Sequence, residues 1–218
     1  MEQGKFVVDK KTVFESYSQD PTLRSLFTLI PYLGPIIDAQ MTSRASYYQG
    51  KRFDAMLQAI HSEINAIERD HLNKAYIESE EFYDLVVNAF TQASRLASKD
   101  RIDAIASIIK ESLDNGTTQQ VLAIDLVSVL GEMSESEASL LGQLGHIYQR
   151  YPERLQGDYN HAFRIEAIED LLTTEIARNS NFLCSRLVSR GVLFSSFDTF
   201  GLTSAGEELL KYLPSQCL

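Results

Sequence analysis

Four carboxylates crowd one short stretch, Glu78, Glu80, Glu81 and Asp84, and the last three stand at helical spacings of three and four. Carboxylates paired on one helix face are what a divalent cation or a general acid–base step requires. No histidine joins them at ligand spacing, and Ser79 is an N-cap residue type. The helix dipole therefore accounts for the acids as the first turn of a capped helix. His61, His71, His146 and His161 occur singly, Cys184 and Cys217 stand far apart, and neither HExxH nor CxxC occurs. A zinc site and a disulfide framework both lack their ligands. No GxxxxGK[ST], GxGxxG or GxSxG pattern is present, so nucleotide and hydrolase chemistry have no support. The expectation is a protein without enzymatic activity, cofactor or metal, whose chemistry is binding.

The apolar run SLFTLIPYLGPII, residues 25–37, is the first binding candidate. It is shorter than the roughly 20 residues that span a bilayer, and Pro31, Gly34 and Pro35 interrupt it. One reading is a helix–turn element packed into a core. The other is an apolar hairpin that enters a membrane or a partner groove, which makes Leu26, Phe27, Ile30, Tyr32, Leu33, Ile36 and Ile37 contact residues. The second candidate is Arg186 with Arg190, four apart and so on one helix face.

The elements that must hold these residues read as helices. In a chain of 218 residues, 44% are hydrophobic and 23% charged, which fits a globular fold with a real core. Acidic residues outnumber basic ones, 30 to 20, and the net charge of −10 opposes nonspecific binding to nucleic acid and anionic lipid. The N-terminal stretch MEQGKFVVDKKTVFE lacks an apolar core segment after its positive charges, so no secretory signal and a reduced, cytoplasmic setting are expected. Phe53, Met56, Leu57, Ile60, Ile64 and Ile67 step by three and four. Ser79 starts a second helix and Ile102 to Leu113 marks a third. Residues 117–130, apolar nearly all round, form a core helix. Ser134 with Glu137 has the capping-box spacing of a further helix. Another is expected from about Asn160 to Ala177, and a short one ends at Gly191. The period then switches to two short extended runs, Val192–Phe194 and Thr199–Leu202, and Thr203 caps a last helix. The domains expected are a helical bundle, 1–131, and a smaller module, 132–218.

The C-terminal order, RLVSRGVL, a hairpin, then GLTSAGEELL, resembles the tail of a winged-helix domain over about 80 residues, Ser134 to Leu213. Leu187, Gly191, Leu193, Leu202, Thr203, Gly206 and Leu210 stand at the matching positions. The resemblance implies that the helix carrying Arg186 and Arg190 is the recognition helix and the hairpin its wing. Charge opposes DNA there: residues 160–218 hold five basic residues against seven acidic, and Ser195 to Asp198 hold none that is basic. The motifs IPxxGxxxD, at Ile30 to Asp38, and ESEEFYDLxxxA, at Glu78 to Ala89, are similar to a loose group of uncharacterised bacterial helical proteins. Those proteins often end in a winged-helix-like tail and are often encoded near phage-defence or mobile-element genes. The resemblance implies a defence-linked accessory or effector, and the function expected is a non-enzymatic interaction subunit or regulator of such a system, working with a protein partner or as a homo-oligomer. The alternatives are a winged-helix DNA-binding regulator using Arg186 and Arg190, and a membrane-acting effector using residues 25–37.

Overall fold

Helical periodicity from Phe53 onward sets the architecture, and the computed structural model of the chain describes residues 26–41, 47–67, 71–115, 120–155 and 162–213. Residues 26–29 are helical and lead through a turn into α1 (Leu33–Met41). Then come α2 (Tyr47–Asn65), α3 (Lys74–Ile77), α4 (Glu80–Ala93), α5 (Lys99–Asn115), α6 (Gln120–Glu132) and α7 (Glu135–Arg150). Short pieces follow: a 3-10 turn (Pro152–Arg154), α8 (Ile165–Ile168) running into a second 3-10 turn (Glu169–Leu171), and α9 (Thr174–Ala177). The chain finishes with α10 (Ser180–Ser189), the strands β1 (Leu193–Ser196) and β2 (Thr199–Leu202), and α11 (Ser204–Tyr212). The fold is mainly helical with one small antiparallel hairpin near the C-terminus.

Local chemistry explains where these helices start. The Ser79 hydroxyl accepts the Phe82 N–H at 3.2 Å, and the Thr203 hydroxyl accepts the Gly206 N–H at 3.1 Å. At α7 the capping box is complete: the Ser134 hydroxyl accepts from Glu137 N–H, and the Glu137 carboxylate accepts from Ser134 N–H at 2.6 Å. In the bundle α4 packs on α6 and α2 on α5, and the ring of Phe53 meets that of Phe90 at 5.8 Å. A polar ladder runs through the α4–α6 seam. Gln92 donates to Asn88, and Asn88 donates to the Ser128 hydroxyl at 2.7 Å. Gly131 permits this close approach, since a Cβ there would lie 2.4 Å from Gln92 Oε1.

One continuous set of buried side chains runs from Leu26 to Leu213 and passes the expected domain boundary at residue 131. The Tyr212 hydroxyl on α11 donates to Glu111 on α5, joining the last helix to the bundle.

A single helix expected over Asn160 to Ala177 is instead three pieces. Residues 156–161 lie outside the described residues, as do Cys217 and the stop at Pro214. Phe163 is extended and exchanges two backbone hydrogen bonds with Phe200, at 2.7 and 2.8 Å. Leu172 and Thr173 are also extended, and the Gln143 amide oxygen takes the Thr173 N–H at 2.9 Å. These long-range partners override a local apolar pattern that read as helical.

Gly191, at φ 73°, ends α10, and α11 then packs directly on the turn that follows. A Cβ on Gly206 would lie 2.2 Å from the Val192 carbonyl oxygen, a rigid backbone atom. Gly206→Ala is therefore expected to destabilise the chain by about 2–3 kcal/mol, as overpacking against an unyielding neighbour does. Urea denaturation with circular dichroism checks this.

Candidate interaction surface

The first candidate does not lie on the surface. Leu26, Ile30, Leu33, Ile36 and Ile37 are buried in the core, and Phe27 and Tyr32 are partly buried against it. Of the two readings of the run, the structure forms the first, a helix–turn element packed into the core, and not the exposed hairpin that would make all seven residues contact residues. The cause is packing: the run folds as residues 26–29, a turn and α1, and its apolar side chains meet α2 and α4. Tyr32 donates its hydroxyl to the Ile77 carbonyl at 2.8 Å and stacks edge-on against Tyr83 at 5.2 Å. Among the described residues no helix is long and apolar enough to cross a membrane.

The second candidate is engaged from within. Arg186 and Arg190 lie one turn apart on α10, and both donate their Nε–H to the same oxygen of Glu137, each at 3.0 Å. Glu137 is 0% exposed. Its other oxygen takes the Ser134 N–H, and Arg190 also reaches Glu132 at 3.1 Å. Burial by itself pushes the Glu137 carboxyl up. The hydrogen bonds from the Ser134 backbone, Arg190 and the Ser134 hydroxyl, with the charge of Arg190, outweigh burial and hold it below its usual value. The Arg186 guanidinium also lies over the Phe182 ring, 5.8 Å from its centroid.

A second buried charge lies beside the first. Arg101 on α5 is 6% exposed. It donates to the carbonyls of Leu130 and Met133 at the C-terminal end of α6, and to Glu135 in the first turn of α7 at 2.6 Å. A cation is thus set on the negative pole of one helix dipole and tied to an acid at the positive pole of the next. Sequence reading assigned Glu137 a capping role and missed its two arginines, which stand 49 and 53 positions away. Arg101 carried no signal, because nothing local distinguishes it from a solvated helix cation.

The remaining candidates stay scattered. Glu78, Glu80, Glu81 and Asp84 are exposed at the start of α4. Cys184 is buried, which pushes its thiol up to about 12 and leaves it protonated at neutral pH. Among the described residues no group of three His, Cys, Asp or Glu side chains could hold a metal ion.

Two variants probe this geometry. Leu33→Asp places a carboxylate at a fully buried position and is expected to cost upwards of about 4 kcal/mol, seen as loss of cooperative unfolding. Glu137→Gln is expected to cost about 2 kcal/mol at neutral pH, by loss of charge-assisted hydrogen bonds. A carboxylate held below its unfolded pKa stabilises only while ionised. The gap between wild type and Glu137→Gln should be full above about pH 5 and close as the pH falls through the depressed value. Urea titrations across that range measure it.

Comparison of the chain with protein-family models, with curated proteins and with solved structures finds no match.

Proposed function

We propose that this chain is a non-enzymatic protein-interaction subunit or regulator of a bacterial phage-defence or mobile-element system, acting in the cytoplasm. In this reading its C-terminal part is a winged-helix-like module that serves protein contact rather than DNA. The order α7, extended Phe163, α9, α10, hairpin and α11 supports the winged-helix reading. So does the Gly191 to Gly206 corner, where the Thr203 hydroxyl donates to the Gly191 carbonyl at 2.6 Å and Gly206 seats α11 on Val192. The bacterial setting rests on the resemblance of the IPxxGxxxD and ESEEFYDLxxxA motifs.

One observation carries the choice of protein over DNA. Both arginines of α10 are bound through Nε to the buried Glu137, and Arg190 to Glu132 as well. Withdrawing both Nε–H groups from Glu137 would leave a carboxylate buried without its partners, at a cost of several kcal/mol, so only the outer nitrogens of Arg186, whose side chain is 43% exposed, face outward. The hairpin tip supplies no replacement cation, since Ser195, Ser196, Phe197 and Asp198 are neutral or acidic. Phosphate contacts provide most of the affinity of a DNA-binding module, and here few cations are free to make them.

The test pairs two measurements. Fluorescence anisotropy with a labelled random-sequence duplex at low salt is expected to show no saturable binding. Affinity purification from the native host is expected to yield a stoichiometric protein complex. Salt-dependent duplex binding that disappears in Arg186→Ala/Arg190→Ala would establish the DNA-binding regulator instead. A chain that stays monomeric and without partner in its host would overturn both.

A further inference from the structure

Arg186 is held through one nitrogen. Its Nε–H goes to the wholly buried Glu137 at 3.0 Å, neither Nη has a partner among the described residues, and the side chain is 43% exposed. The guanidinium also lies over the Phe182 ring, which is itself 62% exposed. A buried carboxylate at one edge and an aromatic face beneath it fix the plane of the group. What remains is a fork of N–H donors that is oriented before anything binds.

This fork lines a cavity of about 210 Å³ between the start of α7, α9 and α10, and the lining offers three kinds of group. The Arg186 Nη atoms and the Ser134 and Ser136 hydroxyls donate. Ser134 accepts the Glu137 N–H at 3.2 Å, which leaves its own proton to give. The Glu175 carboxylate and the Asn179 amide oxygen accept. Asn179 donates an amide N–H to the Glu175 carbonyl at 3.4 Å, and neither its oxygen nor the Glu175 carboxylate has a partner among the described residues. Phe182 and Leu183 supply an apolar wall.

We propose that this cavity takes the C-terminal end of a partner polypeptide whose last residue is apolar. The terminal carboxylate meets the Arg186 fork, the last amide N–H goes to Glu175 or Asn179, and the last side chain lies against Phe182 and Leu183. A chain end carries an anion, an N–H and an apolar group on one Cα, which is the set that the lining complements. A phosphodiester brings the anion but no N–H for Glu175 and Asn179. An acidic side chain brings the anion without an apolar group beside it. A single cation, already shared with Glu137, matches one negative charge and not several. A free amino acid carries the same groups, but small-molecule sites enclose their ligands in roughly 300–1,000 Å³. This cavity is smaller, and its aromatic wall is mostly exposed, which suits the tip of a chain whose remainder stays outside. The proposal deepens the protein-interaction reading above and rests on it.

Nitrogen–proton correlation NMR of the full chain, titrated to about 20 mM with N-acetyl-Gly-Gly-Leu, is the test. The peptide is expected to shift the Ser136 and Phe182 amide signals saturably, with a Kd of about 1 mM, as one small contact allows. Its C-terminal carboxamide is expected to bind at least about tenfold more weakly, because the charge-assisted bonds are lost. Arg186→Gln is expected to weaken the acid as much. Phe182→Ala, at an exposed position, keeps the fold and is expected to erase the preference for N-acetyl-Gly-Gly-Leu over N-acetyl-Gly-Gly-Gly. No saturable shift, equal binding of acid and carboxamide, or a leucine preference that survives Phe182→Ala overturns the proposal. Free leucine bound as tightly as the peptide makes the ligand a metabolite, and inorganic phosphate bound more tightly makes it a phosphate; either overturns the chain end. The host purification separates the two claims. A stoichiometric complex from a chain that binds no peptide overturns this site alone, and the absence of any complex overturns the interaction reading and the site with it.

Discussion

Glu137 is wholly buried and ionised, and a carboxylate removed from water is tolerated only when its oxygens are saturated by donors. The Ser134 N–H and two arginines of α10 meet that demand. They also determine how α7 and α10 face each other, because both Nε–H groups must converge on one oxygen. Arg101 is a second buried charge, a guanidinium whose Nη atoms join the end of α6 to the start of α7 while its Nε has no partner among the described residues. The segment 130–137 is therefore a joint held by charge.

Such a joint constrains more than stability. Burying an ion pair brings little net stabilisation over a well-packed apolar alternative, but breaking one is costly. Arrangements in which either partner leaves the pair are thus suppressed, and both arginines keep their Nε–H groups on Glu137. The close backbone contacts work in the same direction. Gly131 lets α6 settle on the Gln92 side chain, and Gly206 lets α11 settle on Val192. The Gly206 contact is with a backbone carbonyl and leaves no room for a side chain, whereas the Gly131 contact is with a side chain that can shift.

The elements were far more legible in the sequence than the site. Ser79, Ser134 with Glu137, and Thr203 announced helix starts that the structure forms through the hydrogen bonds their types allow. The steps of three and four from Phe53 to Ile64 named the buried face of α2. These features are legible because their physics spans a single helical turn. The break at Phe163 was not, since its partner is Phe200, and the short helix α3 is four residues with little periodicity to read. The site failed for a related reason. An apolar run and an arginine pair look alike whether they face solvent or core, and only tertiary partners decide: α2 and α4 for residues 26–37, and Glu137 for Arg186 and Arg190.

The structure thus buries most of the apolar run and ties both arginines of the pair to a buried carboxylate. A buried apolar side chain follows from folding alone and needs no external partner to account for it. Arg186 differs, because Glu137 takes only its Nε–H and its outer nitrogens stay at the surface beside the exposed ring of Phe182. The carboxylate that folding must neutralise therefore also fixes a guanidinium in place, and a fork already fixed binds a planar partner with less loss of side-chain freedom.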